Sequence, residues 1–348
     1  AKLDFSGTQI DYPLSNDYSI LVDAYKANFP RGNLSLSGVT LDPTYEAEEY
    51  SLILNKQADW FSVTADRVDF SGFDIEKVVD DKQLLLQKLD INNVNAVIFR
   101  DKQLPFPSDQ VGKLPQEMIA SIPFDLRVDT VRLTGDIAYR ELPKDYDQVG
   151  EITFNALDAQ LLNFTNMSKE QEGIMVLEAS GLLMNAGKMS AKAVFLLNDP
   201  LRKFSFGGSI KNFSLDSLNK MLVPVANVNI KSGFSENLSF QLSANDTLAR
   251  GEMTFKYDDL KIQILNAKNR DTQGLGRGIK TFFANTFVVK NKNPSFLVFP
   301  RKGVIFQERD QSKAIFNYWG RSLLSGVVSS VGIHKSDKAE KKFEKEIE

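Results

Sequence analysis

The chain has 348 residues, with 42 Lys and Arg against 45 Asp and Glu, a single histidine and no cysteine. A net charge of -3 argues against the broad phosphate-neutralising surface of a nucleic-acid binder. Without cysteine there are no disulfides, thiolate metal sites, iron–sulfur clusters or thiol nucleophiles. With His334 alone, a Ser-His-Asp triad or a multi-histidine metal centre has almost nothing to draw on.

Two-residue alternation dominates the chain and helical periodicity is scarce, which predicts a mainly β fold. Many of the strands share one irregularity, seen clearly in LRVDTVRL (126–133). Leu126 and Val128 alternate with polar residues, then Asp129 and Thr130 stand where one polar residue is expected, and Val131 and Leu133 follow. Strict alternation would send the last two to the opposite face.

In chain order, an N-terminal β unit (1–102) carries this slip at 34–41 (LSLSGVTL), 63–70 (VTADRVDF) and 89–96 (LDINNVNA), with a short helix predicted at 74–81. The segment 103–123, with four prolines, reads as a linker. A central β array (124–265) repeats the slip at 126–133, 152–159 (ITFNALDA), 177–184 (LEASGLLM), 208–215 (GSIKNFSL) and 255–262 (FKYDDLKI). A second short helix is expected at 215–222, with Asp216 as its N-cap. Eight occurrences at a loose period suggest serial addition of similar β units. A bulge that restores the apolar face and bends the sheet is the preferred explanation, and a two-residue turn is the alternative.

A polar, Gly-rich break (266–278) opens the C-terminal part (266–333). It holds a strand-like stretch at 303–310 and a helix over 312–332. Trp319, Leu323, Val327 and Val331 fall four apart on that helix, with Phe316, Leu324 and Val328 beside them and Ser322, Ser325 and Ser329 elsewhere on the wheel. The apolar face is expected to cap the β core or, alternatively, to touch membrane or a partner. The tail (334–348) reads as solvated.

No enzyme signature emerges, and no cofactor or metal is expected. Adjacent carboxylates such as Asp258-Asp259 point apart on a strand, so a two-carboxylate hydrolase is the weakest reading. GLGRG (274–278) lacks a GK[ST] ending. Asn-x-Ser/Thr sequons, such as those at Asn33 and Asn163, matter only in a secretory setting.

Three stretches, IPFDLRVDTVRLTGDIAYRE (122–141), VANVNIKSGFSENLSFQLSANDTLARGEMTFKYDDLKIQIL (225–265) and FFANTFVVKNKNP with RDQSKAIFNYWGRSLLSGVVSSVG, resemble the AsmA-like bacterial envelope proteins, including the TamB and YhdP relatives and DUF748-type domains. The resemblance runs over most of residues 60–333 through soft patterns. It implies an elongated, curved, largely antiparallel sheet forming an apolar groove in the periplasm, anchored to the inner membrane by a segment outside this chain. It also implies a noncatalytic role in binding or transferring phospholipid or another acyl lipid, supporting outer-membrane integrity.

Candidate lipid-lining residues are Leu126, Val128, Val131, Leu133, Ile137, Tyr139, Phe255, Tyr257, Leu260, Ile262 and Ile264. The competing expectation is a closed β core in which the same residues pack only on protein, in a scaffold that binds an envelope partner.

Overall fold

A computed structural model describes residues 4–107, 111–144, 146–167, 173–265, 289–294, 299–333, 336 and 338–341. The expected break at 266–278, His334 and most of the tail lie outside the described residues. Alternation over long stretches produces thirteen strands joined in chain order into one sheet. Its two outer strands do not pair with each other, so the sheet is open.

The first five strands are β1 (Asp4–Pro13), β2 (Tyr18–Asn28), β3 (Asn33–Pro43), β4 (Asp59–Ser71) and β5 (Gln83–Asp101). Next come β6 (Asp125–Leu142), β7 (Gly150–Thr165), β8 (Ile174–Leu183) and β9 (Gly187–Leu196). The series closes with β10 (Phe204–Ser214), β11 (Val228–Ala244), β12 (Leu248–Ile264) and β13 (Lys302–Glu308). Helices α1 (Ala47–Leu54), α2 (Ile75–Asp80), α3 (Pro115–Ala120), α4 (Asn219–Ala226) and α5 (Ile315–Ser330) lie between or after them.

Neighbouring strands are antiparallel except β5 and β6, which run parallel along almost their whole length. A parallel pair needs a crossover that returns the chain to the starting end. The segment expected as a linker performs that return and contains α3, where Pro115 begins the helix and Glu117 accepts the Leu114 amide. Its described parts are tied to the rest of the fold. Gln57 bonds the Leu104 and Pro105 carbonyls, Gly112 donates to the Gln311 carbonyl, and Glu117 pairs with Arg202. Leu114 and Ile119 are buried in the largest core cluster.

All eight polar pairs of the slipped motif lie inside strands, so none of them is a turn. Most do not set two residues against one either. At the β3 and β4 slips, and at matching positions on β1 and β2, the register on both sides is unchanged, because the extra residue of one strand stands opposite an extra residue of the next. Gln9, Asp23, Gly38, Asp66 and Asn93 follow one another across β1 to β5 as a single row. Register shifts appear only where the row crosses β5 to β8 and at β11/β12.

Along this crease Gln9, Gly38, Asn93 and Ala156 have positive φ, and so, at the separate slips of β10 and β12, do Asn212 and Asp259. Their neighbours supply side-chain acceptors: Thr134 Oγ1 takes the Asn93 amide and Asp136 Oδ1 the Ala156 amide. Asn93 also donates to Asp66 at 2.6 Å. The Asp129-Thr130 slip belongs to a second, shorter crease. Asp129 faces Asn163, and the left-handed backbone is at Asn163 (φ 58), not on β6.

Because each crease restores the phase, one face of the sheet stays apolar from end to end. Over β8–β13 that face is covered by α5, by the turn before α4 and by α3, forming the main core. Trp319 of α5 stacks on Phe206, with ring centroids 4.3 Å apart, and Tyr318 meets Phe204 edge-on.

The apolar stripe of α5 packs on the main core, and the serine face beside it is buried as well. Ser322, Ser325, Ser329 and Ser330 are buried, while Trp319, Leu323 and Val327 are only partly so and Phe316 is 75% exposed. The physical reason is the sheet edge. Ser329 Oγ accepts the Val304 amide at 2.9 Å and Ser325 Oγ the Phe306 amide at 3.2 Å, so the small hydroxyl face of α5 satisfies outer amides of β13.

The helix expected at 215–222 is a 3-10 turn (Leu215–Leu218) running into α4, and Ser214, not Asp216, stands at its N-cap. Asp74 does cap α2, accepting from the Glu76 and Lys77 amides.

Candidate functional site

The apolar face changes character between the two halves of the sheet. Over β3–β6 it forms a cluster around buried Ala65, Val94 and Ala96, ringed by partly buried Val39, Val63, Val68, Ile91, Leu133 and Ile137. Every one of these residues is on a strand; no helix or loop residue contributes to the cluster among the described residues. The slips make this possible by keeping Val63 and Ala65 of β4 on the same face as Val68, and Ile91 of β5 on the same face as Val94.

Toward one end the face passes into Leu84, Leu86, Leu126 and Val128, closed by Phe70, Phe73 and Ile122. At the other end it turns polar. Arg100 makes a two-pronged pair with Asp59, both bonds 2.6 Å. Burial works against the Arg100 charge, but Asp59 outweighs it and the guanidinium pKa is raised. Tyr139 donates to Glu141 at 3.0 Å, and Glu141, 2% exposed, pairs with Lys102 at 2.5 Å. Burial and then the Glu141 charge push the Tyr139 hydroxyl well above its ordinary pKa. An apolar strip thus ends in a charged, fully paired network.

The lining candidates divide accordingly. Leu126 and Val128 are buried and Val131 packs beside them, while Leu133 and Ile137 belong to the strand-only cluster and Tyr139 to its polar end. Phe255, Tyr257 and Leu260 are buried at 3%, 3% and 5% inside the main core, with Ile262 packed against it and Ile264 exposed. The two sets therefore do not meet in one site.

Of the α5 residues, Val331 is buried in the main core and Trp319, Leu323 and Val327 pack against it. Asp59, Arg100, Lys102 and Glu141 were not anticipated as site residues. The signal for the first pair is only their opposite charge in facing registers.

A cavity of about 560 Å³ lies on the opposite face, where Trp60 and Phe99 form a floor under α1. Arg140, Glu151 and Lys220 stand at its rim, and none of the lining candidates reaches it. Among the described residues no group of three His, Cys, Asp or Glu side chains is placed to hold a metal ion, and no helix is long and apolar enough to cross a membrane. No family model matches the chain, and no curated protein matches it.

Proposed function

We propose that the protein is a noncatalytic, periplasmic lipid-binding or lipid-transfer protein of the AsmA-like type, which shields acyl chains on the apolar face of β3–β6. The observation that carries this reading is the strand-only cluster: a long apolar strip over which no described residue of a helix packs, beside a half of the same sheet that is covered. Each methylene taken from water onto such a face gains about 0.8 kcal/mol. An acyl chain laid along Ile137, Leu133, Ile91 and Val68 would have its polar head at the Arg100–Asp59 and Lys102–Glu141 end. The register shifts along β5–β8 and at β11/β12 favour a curved sheet, since bulges increase local twist.

The periplasmic setting and an inner-membrane anchor outside this chain rest on the resemblance alone. So does the role in outer-membrane integrity. A second reading, an envelope scaffold with a closed core, is favoured by the β8–β13 half, where α5 and α3 occupy the apolar face. Delipidation followed by titration with a fluorescent fatty acid separates the two. Saturable binding that is lost in Ile137→Glu and kept in Trp319→Ala supports the lipid reading; no binding to the folded protein defeats it.

A further inference from the structure

Beyond its paired network, the polar end of the strip carries two further cations. Lys313, in the turn before α5, lays its ammonium over the ring of Phe106, 2.9 Å from the centroid. Arg321 lies on α5 itself. Lys102, Arg100 and Arg321 all stand close enough to Lys313 to repel its charge, which places the ammonium at the end of the strip where β5 and β6 finish. Asp310 is the carboxylate that feels both Lys313 and Arg321. Its Oδ1 is already occupied, accepting the Ser312 amide at 3.1 Å and the Ser312 hydroxyl at 2.6 Å.

The four cations differ in what neutralises them. Arg100 has Asp59 at 2.6 Å and Lys102 has Glu141 at 2.5 Å. Among the described residues Lys313 forms no ion pair and rests on an aromatic face instead, where burial, the largest cause, lowers its pKa to about 8. The Nε of Arg321 is shut off from water and has no acceptor. A buried donor without a partner is costly, and a charge-assisted bond to an anion is the strongest way to satisfy it. An acid brought to this end by a ligand therefore meets two unpaired cations and displaces neither existing pair.

We infer that Lys313 and Arg321 form an anion subsite at the polar end of the β3–β6 strip, so that the ligand shielded there is an acyl lipid with an acidic head. The subsite rests on the acyl-chain reading above and narrows it from acyl lipids in general to anionic ones.

The test compares a pyrene-labelled fatty acid with its methyl ester, each titrated by fluorescence into the delipidated whole chain. The two probes share the acyl chain and differ in the charge of the head. The acid should bind at least about tenfold more tightly than the ester, as expected when a charged head gains charged hydrogen-bond partners. In Lys313→Met and Arg321→Met the acid should fall toward the affinity of the ester, while the ester binds as it does to the parent; a general loss of structure would weaken both probes together. Arg321→Lys, which keeps the charge, should retain most of the preference. Equal binding of acid and ester to the parent, or a preference that survives in the double variant Lys313→Met, Arg321→Met, would overturn the subsite and leave the acyl-chain reading standing. Binding of neither probe would overturn that reading and the subsite with it.

Discussion

Replacing Ile137 by glutamate tests whether the β3–β6 face is open. Ile137 is partly buried, stands between Ala96 and Phe154 in the sheet, and belongs to a cluster made, among the described residues, of strand residues alone. On an open face the new carboxylate extends to water, and the cost is the lost apolar contact, about 1–2 kcal/mol. Beneath a protein cover the same carboxylate would be unpaired in an apolar interior and cost several kcal/mol. Phe255→Ala supplies the scale, because Phe255 is 3% exposed in the main core and its truncation costs about 3–5 kcal/mol. In urea unfolding at an m-value of about 3 kcal/mol/M, Ile137→Glu shifts the midpoint by roughly 0.5 M and Phe255→Ala by more than about 1 M. If Ile137→Glu shifts it as far as Phe255→Ala, the face is filled and the reasoning fails.

Removing the α5 hydroxyls with Ser325→Ala and Ser329→Ala leaves two edge amides without acceptors and should destabilise by about 1–3 kcal/mol per site; dynamic light scattering should show aggregation through the bared edge, and an unchanged size distribution counts against the capping role. Gly38→Val forces a β-branched residue into φ 59 with its Cβ on the Asp23 carboxylate, so a loss of about 2–4 kcal/mol is expected by chemical denaturation. Ile262→Glu, on the covered half and packed against the main core, should cost more stability than Ile137→Glu in the same denaturation experiment.

The pH dependence follows from Lys313, whose ammonium lies over the Phe106 ring. Burial lowers its pKa to about 8 against the attraction of Asp310, with Lys102, Arg100 and Arg321 adding to the lowering. Between pH 8 and the ordinary lysine value the unfolded chain binds the proton and the folded chain does not, so this residue makes stability rise with pH across that window. Lys313→Met should flatten the rise in a series of denaturation curves, and an unchanged slope would contradict the assignment.

How much of this could be read beforehand depends on whether local pattern or pairing decides the feature. The eight slips are legible because a doubled polar pair is a local departure from period two. Their alignment into a crease is not, since it depends on which residue of the next strand stands opposite; Asp129 and Asn163 lie far apart in sequence. Helix α3 was hidden by its prolines, which read as a linker although Pro115 sits where a helix tolerates it. Helix α1 has no side-chain cap at Glu46 to announce it.

The burial of the α5 serines was not legible because periodicity measures apolarity, whereas these hydroxyls are buried against amides of β13. For the candidate site, the apolar members of β6 were visible as a one-sided row. That β12's equivalents are covered and β6's are bounded by strands alone is a property of tertiary packing.

The central claim is that the β3–β6 face takes acyl chains. Organic extraction of the protein purified in its folded state without detergent, followed by lipid mass spectrometry, tests it most directly. The account predicts acyl lipid in roughly stoichiometric amount in the parent protein and its loss in Ile137→Glu. A parent protein free of lipid, or lipid retained undiminished in the variant, would contradict it.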